Sequence, residues 1–194
     1  MLKTAVLTAI TLAIAIGGGA GSVWLALDRD FEFDTVTVGS WTAFPARGTP
    51  EADPYSKARF SREADLALGG GEGLVFVARR DHEGLPLRIE CDYRVEGGVP
   101  PARFWTLYAR DAQGGIVVGD DTRTPALHSL ALLRQDDNTV ITTVSRRPAP
   151  GNWLATAGTG RFNLVLTLYD TGTALAARIA EIELPQVTRV GCDG

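Results

Sequence analysis

Histidine and cysteine are nearly missing from this 194-residue chain: there are two of each. Two histidines leave no room for a multi-histidine metal site. Two cysteines exclude a disulfide-rich miniprotein and a thiolate metal cluster. A basic surplus is also absent. The net charge of -4 argues against a nucleic-acid binder, which carries a basic stripe. Catalytic signatures are missing as well: there is no G-x-S-x-G elbow and no H-E-x-x-H helix. Gly69-Gly70-Gly71-Glu72-Gly73 lacks the Lys-Ser/Thr of a phosphate loop, and Glu72 would repel phosphate. Gly158-Thr159-Gly160 is too short for a dinucleotide fingerprint. Both read as turns between strands. Neither a cofactor nor a metal is called for.

Charge is absent from one long stretch. Residues 4–27 carry none, between Lys3 and the acidic Asp28, Asp30, Glu32 and Asp34. As a helix the stretch would span about 36 Å, enough for a hydrocarbon core of about 30 Å. With Lys3 held in the cytoplasm, the remainder faces outward. The small residues at 17–22 also allow a cleaved signal peptide. The apolar run resumes at residues 23–27, however, and Trp24 suits an interfacial belt, which favours an uncleaved anchor. Either way residues 28–194 form one exported domain, anchored in the inner membrane or released to the periplasm.

Export changes the reading of the cysteines. Cys91 falls in a strand-like segment and Cys192 near the end. An oxidising compartment favours a Cys91–Cys192 bridge over two buried thiols.

What is abundant is turn chemistry. With 22 Gly and 10 Pro, a helix bundle is improbable. Strand patterns occupy residues 33–38, 74–78, 89–95, 103–109, 116–118, 139–144, 162–169 and 187–190. Asp53-Pro54 starts a helix, with Asp as cap and Pro at the first helical position. Residues 128–134 read as one or two further helical turns. The class is mainly β: a jelly-roll-like antiparallel β-sandwich with one or two short helices, after an N-terminal transmembrane helix.

Several phrases occur in a specific order: Gly39-x-Trp41, Ala52-Asp53-Pro54-Tyr55 with Ala58-Arg59, Glu72-Gly73-Leu74, and Cys91-Asp92-Tyr93 with Val95 and Gly97. Pro101-Ala102-Arg103-Phe104-Trp105-Thr106-Leu107, Pro150-Gly151-Asn152-Trp153-Leu154 and Leu166-x-Leu168-Tyr169-Asp170 follow. In that order they resemble the bacterial DUF 1214 family, over roughly residues 39–170. The resemblance implies a β-rich, jelly-roll-like domain. In longer relatives it follows a DUF 1254 domain, for which this chain has no room. It looks like the short, membrane-anchored alphaproteobacterial form, so a separate DUF 1254-type envelope protein is the implied partner. The family supplies no agreed catalytic residues.

Four residues are candidates for ligand binding. Tyr55 and Arg59 share a helix face, where Arg59 either clamps an anion or pairs with Glu63. Asn152 and Trp153 follow a Pro-Gly turn and suit a sugar or apolar ligand; otherwise Trp153 plugs the sandwich end and Asn152 satisfies backbone. Trp105 is expected in the core, and Trp41 and Phe44 pack their loop. His82 reads as a solvated turn residue. The functional expectation is a ligand-binding or protein-interaction module. The rival is an envelope hydrolase using two of Asp53, Glu72, Asp81, Asp92, Asp120 and Asp121.

Overall fold

The uncharged amino-terminal run folds as helix α1, Leu2–Asp28. Its hydroxyls are satisfied inside the helix. Thr8 Oγ1 donates to the Thr4 carbonyl at 2.9 Å, Thr11 to Leu7 at 2.9 Å and Ser22 to Gly19 at 2.8 Å. These three hydroxyls are thereby satisfied without water, as a hydrocarbon environment requires. This is the one helix among the described residues long and apolar enough to cross a membrane.

The computed structural model describes residues 2–28, 35–45, 48–50, 52, 54, 57, 58, 61, 68, 69, 71–111, 113–119, 124–172 and 178–192. The chain divides into two units, residues 1–33 with 51–66, and residues 34–50 with 67–194. In the first, Pro54, Lys57, Ala58 and Ser61 are helical, where Asp53-Pro54 predicts a helix. Tyr55 and Arg59 lie outside the described residues.

The second unit is a β-sandwich. One sheet has the order β1 (Val36–Val38), β2 (Trp41–Ala43), β3 (Gly73–Ala78), β9 (Phe162–Tyr169), β5 (Phe104–Asp111), β6 (Ala126–His128). All its pairings are antiparallel. The other runs β10 (Gln186–Cys192), β4 (Cys91–Gly97), β7 (Val140–Ser145), β8 (Asn152–Ala155). Here β7 and β8 are parallel, with Thr142 opposite Asn152 and Ser145 opposite Ala155. This sheet is therefore mixed. Residues 146–151 make the return, far fewer than the dozen or more usual between parallel neighbours. Pro148, Pro150 and Gly151, at φ +80°, give the tight path.

Alternation sets the core. Trp105, Leu107 and Ala109 of β5 point inward with Phe162, Leu164, Leu166 and Leu168 of β9, against Tyr93 and Val95 of β4. Tyr93 meets Phe162 edge-on, with ring centroids 5.8 Å apart. At the centre of the larger sheet the other face is closed too: Val77, Val165 and Thr167 are buried. A side chain at Gly73 would strike the Leu168 carbonyl oxygen, so β3 and β9 meet there only because the residue is glycine.

Three local expectations change. Residues 128–134 are not helical: after β6 the chain runs through turns, because distant partners hold its backbone. Ser129 N–H donates to the Trp105 carbonyl at 2.9 Å and Leu133 N–H to Asn152 Oδ1 at 2.7 Å. Residues 116–118 form a single bridge, Ile116 to Arg110, instead of a strand. Trp153 lies in a strand, not a loop. A short 3₁₀ turn, Ile179–Glu181, precedes β10.

Candidate functional site

The two edges of the four-stranded sheet hold the most specific polar chemistry. At the β8 edge, the Asn152 side chain is spent on backbone. Its Oδ1 accepts from Leu133 N–H, while Nδ2 donates to the carbonyls of Leu133 at 2.8 Å and Ile141 at 2.9 Å. Asn152 is 8% exposed. Its amide fastens the 129–139 connection to β7 and β8. Trp153 is half-buried, and its indole N–H is shared by the Ser145 carbonyl and hydroxyl, each at 3.1 Å. Ser145 Oγ donates in turn to the Arg147 carbonyl at 2.6 Å.

At the β10 edge, Cys91 and Cys192 form a disulfide. They are direct partners in the β4–β10 register. Close in the same register, Arg189 extends from β10 to Asp81, Nε to Oδ2 at 3.0 Å. The Asp81 side chain is wholly buried and that of Arg189 is 20% exposed. The other Asp81 oxygen accepts the N–H groups of Glu83 at 3.1 Å and Leu85 at 2.9 Å, closing the turn. Arg189 Nη2 donates to the Pro86 carbonyl at 2.8 Å, and its guanidinium stands 5.6 Å from the Tyr93 ring centroid. Burial pushes the Tyr93 hydroxyl above the usual tyrosine range, so it stays neutral, accepting the Arg88 N–H at 2.8 Å. The sequence hides Asp81–Arg189, because 107 residues separate the partners. The available signal was the Asp-His-Glu-Gly turn, which marks Asp81 as a backbone acceptor. His82 is exposed in that turn, as expected, and its backbone N–H reaches the Val187 carbonyl at 2.8 Å.

The remaining described candidates among the carboxylates, Glu72 and Asp92, are each engaged. Glu72 accepts the Gly69 N–H at 2.9 Å, and Asp92 meets Arg147 at 3.4 Å. The Gly160 N–H, 2.8 Å from Glu90, holds that carboxyl below its ordinary range, aided by Arg88 at 3.3 Å. Asp53, Asp120 and Asp121 lie outside the described residues. Among the described residues no three His, Cys, Asp or Glu side chains gather as metal ligands.

Between the sheets a narrow apolar cleft is lined by Trp41, Trp105, Val95, Leu107, Val140 and Leu166, among others. Its free space is about 10 Å³, room for one water. Trp41 closes it by donating from Nε1 to the Pro185 carbonyl at 2.6 Å, and Trp105 is in the core as expected.

A family model described as "Protein of unknown function (DUF1214)" matches residues 72–173. No curated protein matches the chain. Among solved structures, the VPA0106 protein from Vibrio parahaemolyticus is similar in fold, at TM-score 0.58 and 16% identity. The likeness covers 72% of this chain and 36% of that one. An uncharacterized protein from Burkholderia cenocepacia gives TM-score 0.46 at 18% identity, covering 89% of this chain and 40% of that one. The chain thus spans well under half the length of both.

Proposed function

The chain belongs to the DUF1214 family, and from that premise we propose that it is a membrane-anchored envelope module whose residues 28–194 face the periplasm and bind a protein partner or small ligand. The observation carrying this reading is the pairing of a long apolar helix, Leu2–Leu25, with the Cys91–Cys192 disulfide. The helix is compatible with an anchor or a signal sequence, and the disulfide belongs to oxidising compartments. The resumption of apolar sequence after the glycines, with Trp24 near the outer end, supports retention of the helix. The inner membrane, amino terminus cytoplasmic, is the corresponding location; cleavage would instead release the domain to the periplasm.

The partner we propose is a DUF 1254-type envelope protein. The Vibrio parahaemolyticus protein with this fold supports the idea, since there the similar region is accompanied by further polypeptide. Any small ligand would meet Tyr55 and Arg59, or the Trp153 side of β8. Affinity capture from solubilised native membranes tests the reading. Co-recovery of a DUF 1254-type protein is expected. Recovery of the chain with no such companion, after cross-linking in intact cells, overturns the partner.

A further inference from the structure

The connection after β6 presents two leucines to solvent on a backbone that is fixed. Leu130 is 80% exposed and Leu133 66%. Leu133 is held by both ends of the Asn152 amide. Ala131 N–H donates to the His128 carbonyl at 3.1 Å, and Ser129 is tied to Trp105. Leu127 and Leu132 are partly buried against the core, so the exposed pair is displayed while these two leucines pack inward. A pinned loop that keeps large apolar side chains in water is suited to burial against something else.

The topology says which end of the sheet this loop occupies. His128 is opposite Thr106, near the end of the sheet marked by Phe104, Tyr169 and Gly73. Val36 lies opposite Ala43, and Ala43 opposite Phe76, so the chain enters β1 coming from that same end. Only residues 29–35 separate α1 from β1. That stretch reaches at most about 25 Å when fully extended. Nearby charge is mixed, with Arg134 against Asp136 and Asp137, so attraction to a surface there is apolar in kind.

We propose that residues 129–134 form a second membrane contact, with Leu130 and Leu133 inserted into the interface of the bilayer that holds α1. This rests on the anchor reading above. The full chain in phosphatidylcholine nanodiscs provides the test, with a spin label at Leu130→Cys, or at Leu133→Cys if the first variant misfolds. Gln113→Cys, at the opposite end of the sheet, is the aqueous reference. Non-reducing peptide mapping confirms that Cys91 and Cys192 remain paired. The label at 130 is expected to be relaxed by oxygen and to lose its accessibility to a water-soluble nickel chelate. Equal nickel access at 130 and 113 overturns the proposal. Shielding from both agents means that protein, such as a second copy, covers the loop, and also overturns it. If intact mass shows the amino-terminal segment removed, the anchor reading fails separately. Flotation of the trimmed chain with phosphatidylcholine vesicles then decides the loop: binding weakened about tenfold by each of Leu130→Asp and Leu133→Asp supports it, and no binding overturns it.

Discussion

The two edges of the four-stranded sheet are secured by different chemistry. At β10 a covalent bridge, Cys91–Cys192, stands beside a buried ion pair, Asp81–Arg189. At β8 one neutral amide, Asn152, makes three hydrogen bonds to backbone. An edge strand offers unpaired backbone and needs protection. The first solution ties the far end of the chain to a strand 101 residues earlier. The second ties a connection to the strands it links. The β10 edge therefore depends on the oxidising state of the surroundings, and the β8 edge does not.

Removing the bridge is the sharpest way to break this contrast. Cys91→Ser with Cys192→Ser is expected to lower stability by about 4–5 kcal/mol, from the entropy of a loop of roughly 100 residues. Denaturant unfolding measures it, and reduction of the native chain should match the variant. Asp81→Ala leaves Arg189 without its partner and two turn N–H groups without an acceptor. A loss of about 3 kcal/mol is expected. Both changes should loosen β10 before β8, so hydrogen exchange should rise first in residues 186–192.

Asn152→Ala probes the other edge. It strands the backbone groups of Leu133 and one carbonyl of β7, for an expected loss of about 2 kcal/mol. Exchange should quicken in residues 129–141 and stay slow around the disulfide. If it quickened equally at both edges, they would form one cooperative unit and the contrast would fail.

The smallest effect is on pH dependence. The Glu90 and Asp137 carboxyls are held below their ordinary values, chiefly by the Gly160 N–H and by Thr139 respectively. Their folded pKa lies under the unfolded one. Their contribution is present above the unfolded pKa of about 4 and fades as pH falls through the folded value. Glu90→Gln should therefore shallow the acid limb of the stability curve, read by thermal unfolding between pH 6 and pH 2 (roughly the span of that titration).

Legibility in the sequence follows the range of the forces involved. Strand β9 was readable because its apolar run comes from its own residues, buried on both faces at the sheet centre. The cysteine pair was readable because only two candidates exist. Strand β8 was not, since four residues after Pro150-Gly151 carry no periodicity and their parallel pairing is a tertiary outcome. Residues 128–134 mimic a helix because Leu130, Ala131, Leu132 and Leu133 are good helix formers. The bonds that override this propensity come from Trp105 and Asn152. Asn152 was legible as a polar residue after a turn, but not the backbone groups it would meet.

One measurement tests the central claim most directly: the intact mass, under non-reducing and alkylating conditions, of the protein recovered from washed membranes. An exported, anchored chain gives the mass of the whole sequence with Cys91 and Cys192 joined and no alkyl group added. A shortened soluble chain, or one alkylated at both cysteines, contradicts it.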